Sequence, residues 1–404
     1  MNAQEPALSR APVALSQRLE SLDVLRGIAL LGIFVPNLLA MAFPSSTLVF
    51  PWETFPEPTA ADEWSMAAIG VFFHGKFIFL FSIMFGVGAR VFADGKGDRS
   101  TGLWFRRMGF LFALGVLHGS LLFFGDILTS YAFAGVVVVW WCRRLKATTL
   151  LILSAALVFV GLVMYLLAMA GWGYQVREEG LQASQGYDPA SEIATVQAGG
   201  LDAAMRRLFA YAQFQLIFMP LIFLPLLSGF MLLGMALMRS GFFAGVLGAK
   251  REILLAVLGL GLGVPASAAA HWWLIGGGPI AQASFLAVGQ ALAIPVGLGY
   301  AALVLLWVRT GVARPVRNAL ASVGRMALTN YLLQSVLAVL LFDAIGLGLF
   351  GKVSLPEVFL FAGGVWTVLI TWSVIWSRWF SRGPLEALWR TFTYGKTRGP
   401  SGVS

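Results

Sequence analysis

Long apolar runs separated by short polar segments dominate the chain. Several runs reach about 20 residues, the length that an α-helix needs to cross a bilayer. Their apolar residues do not alternate with polar ones, as they would in the strands of a membrane barrel. The pattern predicts an all-α, polytopic membrane protein with about ten transmembrane helices. We place them at 22–42, 64–93, 108–124, 127–142, 148–172, 207–238, 252–275, 281–308, 319–343 and 356–376.

The third and fourth predicted helices are short. Either the bilayer thins around them, or they form a hairpin that does not fully cross it. The polar segment 1–21 has no removable signal-peptide pattern, so we expect the first helix to stay attached as a signal anchor. Residues 22–377 then form a single transmembrane domain with a long outer loop at 173–205, which is either a lid or a simple connector.

Charged residues lie mainly between the apolar runs, and their sign alternates from one connection to the next. Arg143, Arg144 and Lys146 mark one basic connection, whereas acidic residues mark 43–63 and 173–205. Basic loops stay on the cytoplasmic side of a membrane. Both termini, including the N-terminal segment 1–21, are therefore expected in the cytoplasm.

The tail 378–404 has its own helical pattern. Gly383 and Pro384 resemble an N-cap and a first helical turn, and apolar residues recur after them at helical spacing. We expect a cytoplasmic amphipathic helix that lies on the membrane surface.

Composition agrees with a membrane protein. Hydrophobic residues make up 58% of the chain and charged residues 12%, whereas soluble domains average about 25% charged residues. The net charge of +9 does not indicate nucleic acid, because the basic residues form no stripe on a soluble domain. One cysteine, Cys142, excludes an internal disulfide and a cysteine metal cluster.

The stretch 117–131 places His118 and Asp126 inside an apolar region. An ionisable side chain in a membrane segment is by default a candidate functional residue. Gly125 and Asp126 also resemble a helix end followed by an N-cap, which would occupy the carboxylate with backbone donors. The two roles are compatible, since the second carboxylate oxygen can orient an imidazole. Alternatively, His118 is a core histidine with satisfied hydrogen bonds.

The second predicted helix contains His74 and Lys76, which point about 200° apart. His74 is the stronger site candidate, and Lys76 needs a partner, for which Asp126 is the nearest in depth. His271 precedes two tryptophans and is expected at the outer interface. His74, His118 and Asp126 lack the local spacing of a metal site, so no metal is expected.

Other polar residues near helix ends have two interpretations. Asp23 and Arg26, three residues apart, form either a structural ion pair or a site for a charged ligand group. Asn37 is either a bond between helices or a site residue. No phosphate-binding glycine loop or GxSxG turn is present, so the sequence supports neither dinucleotide chemistry nor soluble-type hydrolysis.

Five blocks in chain order resemble the YeiB-like family of bacterial inner-membrane proteins. They read RLESLDVLRGIALLGIFVPN, HGKFIFLFSIMFGVG, LHGSLLFFGDILTSYA, VGRMALTNYLLQS and GPLEALWRTFTYGK. That family is similar in turn to the transmembrane acyltransferase superfamily, which includes the lysosomal heparan-glucosaminide N-acetyltransferases and shares the LDxxRGIAL-like opening. The resemblance implies acyl transfer from cytoplasmic acyl-CoA, with acetyl-CoA as the expected donor, to an outer-side glycan, lipid or small molecule.

One feature departs from the lysosomal relatives, which place an essential histidine just before a tryptophan at the start of the second helix. Here Asp62 and Glu63 precede Trp64. If the chemistry is shared, the role falls to His74 or His118.

For acyl transfer, the expected catalytic residues are His118, Asp126, His74 and Lys76. His118, oriented by Asp126, would act as general base, and His74 as an alternate base or acyl carrier. Lys76 would stabilise the thioester oxyanion or bind donor phosphate. The candidate substrate-binding residues all lie in the five blocks: Asp23, Arg26, Asn37, Tyr131, Arg325, Asn330 and Gln334.

Two other functions remain open. A transporter or flippase would use the same intramembrane residues as an ion or proton site, although no pair of Gly- or Pro-broken helices is evident in two matching halves. A structural or assembly protein would need them only for packing. Besides acyl-CoA and the acceptor, the expected partner is the phospholipid bilayer. No nucleic-acid partner is expected, and a homodimer is compatible with this interpretation.

Overall fold

The computed structural model describes residues 15–55, 57–95, 100–181, 188–244, 246 and 248–395. Every regular element in this part of the chain is a helix. Seven helical segments are long and apolar enough to cross a membrane, and an eighth is added if one sharply bent pair counts as a single crossing. The chain is therefore an all-helical, multi-pass membrane protein, as its hydrophobic pattern predicted.

Fifteen principal helices follow one another along the described residues. They are α1 Leu15–Ala42, α2 Ala60–Ala68, α3 Lys76–Asp94, α4 Ser100–Leu121, α5 Leu128–Ala134, α6 Ala147–Glu179, α7 Pro189–Ala198, α8 Gly200–Gln213, α9 Leu224–Arg239, α10 Ala249–Ile275, α11 Pro279–Thr310, α12 Arg314–Arg325, α13 Ala327–Phe342, α14 Glu357–Trp376 and α15 Pro384–Tyr394. π-Helical turns at Ile69–Phe73, Gly135–Val139 and Phe214–Phe223 continue α2, α5 and α8. Single turns at Ser45–Leu48, Pro51–Thr54, Trp140–Cys142 and Phe242–Ala244 complete the described helical structure.

Two of the ten predicted crossings do not correspond to any of the long apolar helices or to the bent pair. The prediction at 108–124 corresponds to α4, which begins at Ser100 and includes Arg106 and Arg107. The prediction at 127–142 corresponds to Leu128–Cys142, a shorter apolar helix. The count of ten crossings and the cytoplasmic placement of both termini therefore stay predictions. Residues 1–14 and 396–404, which belong to the predicted terminal segments, lie outside the described residues.

The segment 173–205, predicted as a long outer loop, is largely helical where it is described. Helix α6 continues to Glu179, and α7 and the start of α8 follow after a gap in the described residues. Glu192 of α7 accepts a hydrogen bond from the Ser45 backbone N–H at 3.1 Å and pairs with Arg206 at 3.0 Å. These bonds hold α7 against the connection between α1 and α2.

Helix α1 lies in the interior of the bundle. In its apolar window 72% of residues are buried, against 22% for α10. Helix α12 packs closely along it, because a Cβ on Gly27 would overlap the Leu320 carbonyl and one on Gly324 would overlap the Asp23 carbonyl. Small residues allow such backbone contact between membrane helices. The contact places the start of α1, with Asp23 and Arg26, beside the end of α12, with Arg325.

Helices α12 and α13 meet at a bend of 85° around Met326. The bend leaves the first backbone N–H groups of α13 without partners inside the helix. Glu386, on α15, supplies the missing acceptor: its Oε1 accepts from Leu328 N at 2.7 Å and from Thr329 N at 3.1 Å. The α15 helix therefore caps α13 from outside the bend.

Helix α15 confirms the predicted helix start, with Gly383 as N-cap and Pro384 in the first turn. One side of this helix packs on the protein, and its predicted position on the membrane surface stays a prediction. Trp389 packs on α4, where the Arg107 guanidinium carbon lies 3.7 Å from its ring centroid and the indole N–H donates to the Arg107 carbonyl at 2.9 Å. Only part of the apolar face, including Leu388 and Phe392, stays exposed.

We predict that Glu386→Ala destabilises the protein by about 1–2 kcal/mol, the usual loss when a helix loses its N-terminal cap. Thermal unfolding of the purified protein in detergent, followed by tryptophan fluorescence, measures the effect. Thr391→Ala on the same helix is the control, because Thr391 is exposed and bonds only within α15. Equal melting temperatures for the two variants would contradict the capping role.

Candidate functional site

His118, near the end of α4, is hydrogen-bonded through both ring nitrogens. Nδ1 lies 2.8 Å from Asp126 Oδ1, and Nε2 lies 2.8 Å from the hydroxyl oxygen of Ser335 on α13. All three residues are buried, and the side chains of His118 and Asp126 have no exposed area. A carboxylate beside Nδ1 holds the proton of the neutral ring on that nitrogen. Nε2 is then a hydrogen-bond acceptor that faces the hydroxyl group.

Asp126 also lies two residues before helix α5 and contacts its first turn. Its second oxygen, Oδ2, accepts a hydrogen bond from Thr129 N at 2.8 Å, so one carboxylate caps the helix and contacts the imidazole. The turn around it is held by Gln215, whose side chain donates to the Asp126 carbonyl at 3.0 Å. Tyr331 Oη accepts from Ile127 N at 3.4 Å. The last two bonds hold the backbone on either side of the Asp126 side chain.

Two glycines allow α4 to approach this turn closely. A Cβ on Gly115 would lie 2.5 Å from Thr129 N and 2.8 Å from Asp126 Oδ2. Gly119 faces the ring of Tyr211, whose hydroxyl lies 2.9 Å from the hydroxyl of Thr129. The position of His118 relative to Asp126 therefore depends on having glycine, with no side chain, at positions 115 and 119.

Helix α8 covers the end of the bundle beyond His118. Arg207 forms an ion pair with Asp343, at the end of α13, and donates to the Leu121 carbonyl, at the end of α4, at 2.6 Å. Together with Tyr211, these contacts tie α8 to both helices that carry the buried hydrogen-bonded residues. The site is closed on this side.

On the opposite side of the buried site lies a cavity of about 470 Å³. Its deep end is formed by Ile127, Leu128, Tyr131 and Tyr331, and the Tyr331 ring centroid is 4.9 Å from that of His118. Its lining includes two carboxylates, Asp23 and Glu386, and five arginines: Arg26, Arg107, Arg325, Arg382 and Arg390. Arg107 and His118 are separated by about 16 Å along α4. The cavity thus leads from a basic mouth toward the imidazole.

Four of the predicted substrate-binding residues line this cavity: Asp23, Arg26, Tyr131 and Arg325. Asp23 and Arg26 form the ion pair that their spacing suggested, at 3.0 Å. The hydroxyl of Tyr131 lies 2.8 Å from that of Ser82.

The structure does not bring His74 and Lys76 to His118. His74 Nε2 lies 3.4 Å from the Leu286 carbonyl, on α11. The expected pairing of Lys76 with Asp126 is wrong, because Lys76 Nζ donates to the Gly70 carbonyl at 2.8 Å. In the π-helical turn His74 N donates to Ile69 O, one residue farther back than in an α-helix, which explains why Gly70 O accepts from the lysine.

The remaining candidates lie apart from both the cavity and the imidazole. Asn330 donates to Val323 O and Ser373 Oγ, and Gln334 donates to Leu30 O, so these two residues join α13 to α12, α14 and α1. Asn37 is half-buried on α1, and its side chain makes no hydrogen bond with a described residue. Among the described residues, no group of three or more His, Cys, Asp or Glu side chains is placed to hold a metal ion.

His271 is buried within the protein against Phe285, although its neighbours Trp272 and Trp273 are exposed. The expected position of this helix end at the outer membrane interface stays a prediction. The aromatic belt pattern describes the helix as a whole and does not say which of its residues face the protein.

Several residues that are not predicted from the sequence belong to the buried hydrogen-bonded site or to the cavity. Ser335 is the last residue of the fourth block and lies one turn after Tyr331, but its contact with His118 joins residues 217 positions apart. Arg382 and Arg390 belong to the tail, which was assigned to the membrane surface. Only Arg390 has a signal in the sequence, since it follows Trp389 in the fifth block, whereas Arg382 lies just before that block.

We predict that Gly115→Ala destabilises the protein by about 1–3 kcal/mol, because the added methyl group overpacks the turn at Asp126. The control is Gly109→Ala on the same helix, where a Cβ meets open space and alanine favours the helix. Thermal unfolding in detergent should separate the two variants. A Gly115→Ala protein as stable as Gly109→Ala would show that α4 does not approach Asp126 this closely.

Comparison with known proteins identifies the family. The model of a family described as "Protein of unknown function (DUF418)" matches residues 237–396. The chain is 31% identical to the uncharacterized protein YeiB of Escherichia coli (strain K12), over 95% of the chain and 98% of YeiB, and 31% identical to YxaH of Bacillus subtilis (strain 168), over 96% of both. No solved structure matches it significantly. The chain belongs to the YeiB-like family of DUF418 proteins.

Proposed function

We propose that the protein is an acyltransferase of the bacterial inner membrane, which moves an acyl group from cytoplasmic acyl-CoA to an acceptor on the outer side. The observation that carries the proposal is the position of His118, which lies between a carboxylate and a hydroxyl group beyond the deep end of an arginine-lined cavity. Acetyl-CoA is the expected donor. A glycan, a lipid or a small molecule is the expected acceptor.

The chemistry assigned to His118 is general base catalysis. With its proton held on Nδ1 by Asp126, the ring has a free electron pair on Nε2 that can accept a proton from a hydroxyl or amine. The carboxylate stabilises the imidazolium that forms. Because both side chains are fully buried, the electrostatic effect of Asp126 is much stronger than it would be in water.

The cavity has the chemistry of a donor site. Five arginines against two carboxylates give its mouth a positive charge, and the planar guanidinium group binds phosphate through paired hydrogen bonds. Asp23 is already paired with Arg26, and Glu386 is occupied by the start of α13. The phosphates of acyl-CoA would bind at this mouth while the thioester extends toward Tyr331.

We predict that His118→Gln lowers the consumption of radiolabelled acetyl-CoA by about 10²–10⁴-fold, the usual contribution of a general base. The assay uses purified protein in liposomes of total bacterial lipid, with labelled products separated from the donor. His271→Gln is the matched control, since His271 is also a buried histidine but contacts neither the cavity nor His118. Normal turnover in both His118→Gln and His74→Ala would refute this mechanism.

We also predict that Arg325→Ala combined with Arg382→Ala raises the KM for acetyl-CoA at least about 10-fold, because each lost charge-assisted bond to phosphate is worth about 1.5–3 kcal/mol. Arg251→Ala, an exposed arginine outside the cavity, is the control. Dephospho-acetyl-CoA should lose less affinity in the double variant than acetyl-CoA does. An unchanged KM would exclude the arginine mouth as the donor site.

A transporter or flippase is the second candidate, and one observation favours it. Two helical spans are interrupted inside the bundle, at His74 and Gly75, where Gly75 has φ 77°, and at Met326. The sequence had suggested no such pair, and interrupted helices form the binding sites of many transporters. Lys76 begins the second half of the first interrupted span and is fully buried.

A proton-flux assay tests this candidate. Liposomes that contain the protein, a pH-sensitive dye and no acyl-CoA are given a potassium diffusion potential. Protein-dependent acidification that disappears in Lys76→Met and persists in His118→Gln would favour transport. Absence of flux, together with acetyl-CoA consumption, would leave acyl transfer as the function.

A further inference from the structure

Asp126, His118 and Ser335 form a carboxylate–imidazole–hydroxyl chain with 2.8 Å between the paired atoms at each step. Asp126 lies just before α5, His118 near the end of α4 and Ser335 in the middle of α13. This constellation of an acid, a base and a nucleophile recurs on unrelated folds, where it is recognised by its geometry. Here it is buried in a helical bundle.

We infer that Ser335 is the nucleophile that carries the acyl group covalently between donor and acceptor. The inference rests on the proposed function for the identity of the donor, an acyl-CoA. It does not rest on that function for the reactivity of Ser335, which follows from the hydrogen bond to Nε2. A base at hydrogen-bonding distance is what a serine hydroxyl needs to become a nucleophile.

The first half-reaction transfers the acyl group to the protein. Ser335 Oγ attacks the thioester carbonyl carbon while its proton passes to Nε2 of His118. The bond between the carbonyl carbon and sulfur then breaks, and the imidazolium returns the proton to the departing CoA thiolate. The products are CoA and an oxygen ester on Ser335, with neutral His118 restored.

The second half-reaction reverses the roles. A hydroxyl or amine of the acceptor gives its proton to Nε2 and attacks the ester carbonyl carbon. The bond between this carbon and Oγ breaks, and Oγ recovers the proton from the imidazolium. No oxidant, reductant or further reactant is required.

Tyr331 is the candidate hydrogen-bond donor for the oxyanion of either half-reaction. It precedes Ser335 by one helical turn, forms part of the deep end of the cavity, and its ring contacts that of His118. Its oxygen accepts from Ile127 N, and its own O–H has no acceptor among the described residues. That O–H is free to donate to a developing oxyanion, the usual task of such a group.

A covalent carrier also explains how the site stays closed toward the acceptor side. On one side, Tyr331 lines the cavity and its ring contacts that of His118, whereas Tyr211 and the Arg207–Asp343 pair lie on the other. Direct transfer would require donor and acceptor to be present together. An ester on Ser335 lets the two substrates bind one after the other, so both sides never need to be open at once.

A fluorophosphonate probe tests the nucleophile without any acyl-CoA, because the Oγ–P bond forms as the P–F bond breaks and fluoride leaves. We expect the full-length protein in detergent to be labelled on Ser335, as located by peptide mass spectrometry. Labelling should be lost in Ser335→Ala and slowed at least about 100-fold in His118→Gln. Ser228→Ala, on α9, should label normally. Ser228 is also a buried serine, but its hydroxyl has no hydrogen-bond partner among the described residues.

Acyl transfer supplies the second measurement. With radiolabelled acetyl-CoA and rapid acid quenching, wild-type protein should retain label that resists neutral hydroxylamine, as an oxygen ester does. Ser335→Cys should retain label that neutral hydroxylamine removes, because the ester becomes a thioester. Ser335→Ala should lose both the label and about 10²–10⁴-fold in turnover.

The outcomes separate this inference from the proposed function. Fluorophosphonate labelling of Ser335 without any reaction of acetyl-CoA would support the nucleophile and overturn the donor. Turnover of acetyl-CoA by Ser335→Ala at nearly the wild-type rate would support acyl transfer and overturn the nucleophile. Resistance of the wild-type protein to the probe, combined with normal turnover in Ser335→Ala, would also overturn it.

Discussion

The interior of a bilayer offers no water, so each buried polar group must find its partner within the protein. Asp126 shows what this constraint produces. Its carboxylate accepts from the first turn of α5 with one oxygen and from His118 with the other, and Gln215 and Tyr331 satisfy the backbone on either side. The bonds that stabilise the turn therefore also fix the tautomer and the direction of the imidazole.

The bend at Met326 connects this buried chemistry to the basic cavity. Arg325, just before the bend, lines the mouth, whereas Tyr331 and Ser335, just after it, face His118. In a single straight helix these three residues would lie along one axis, and that axis would pass by the imidazole. The 85° change of direction turns α13 into the bundle, and the Glu386 cap makes that turn possible without leaving buried donors unpaired.

The sequence predicts those features that depend on local pattern. Apolar runs locate the long helices. His118 and Asp126 are identified because they are ionisable residues inside an apolar stretch. The contact between His118 and Ser335 spans 217 positions and depends on how α13 leaves its bend, which no local pattern encodes. The predicted pairing of Lys76 with Asp126 is wrong for a related reason. Its partner is a backbone carbonyl in a π-helical turn, and such a turn has no clear signature in side-chain spacing.

The tail shows what helical periodicity predicts and what it does not predict. The spacing of Leu385, Trp389 and their neighbours correctly indicates a helix with one apolar face, but it does not indicate what covers that face. A membrane surface and a neighbouring helix are both apolar, and the choice between them depends on geometry. Here the Arg107 side chain stacks on Trp389, so part of the face contacts α4 while Leu388 and Phe392 stay exposed. Arg382 and Arg390 of the same tail line the cavity.

This arrangement has a consequence for biosynthesis. Helix α15 follows every long apolar helix of the described residues, so it is synthesised after all of them. Until then α13 lacks the Glu386 cap and the basic cavity lacks one wall. A nascent chain that has inserted all of its spans is therefore still incomplete at its site. Docking of an 11-residue helix is the step that completes both the bend and the cavity.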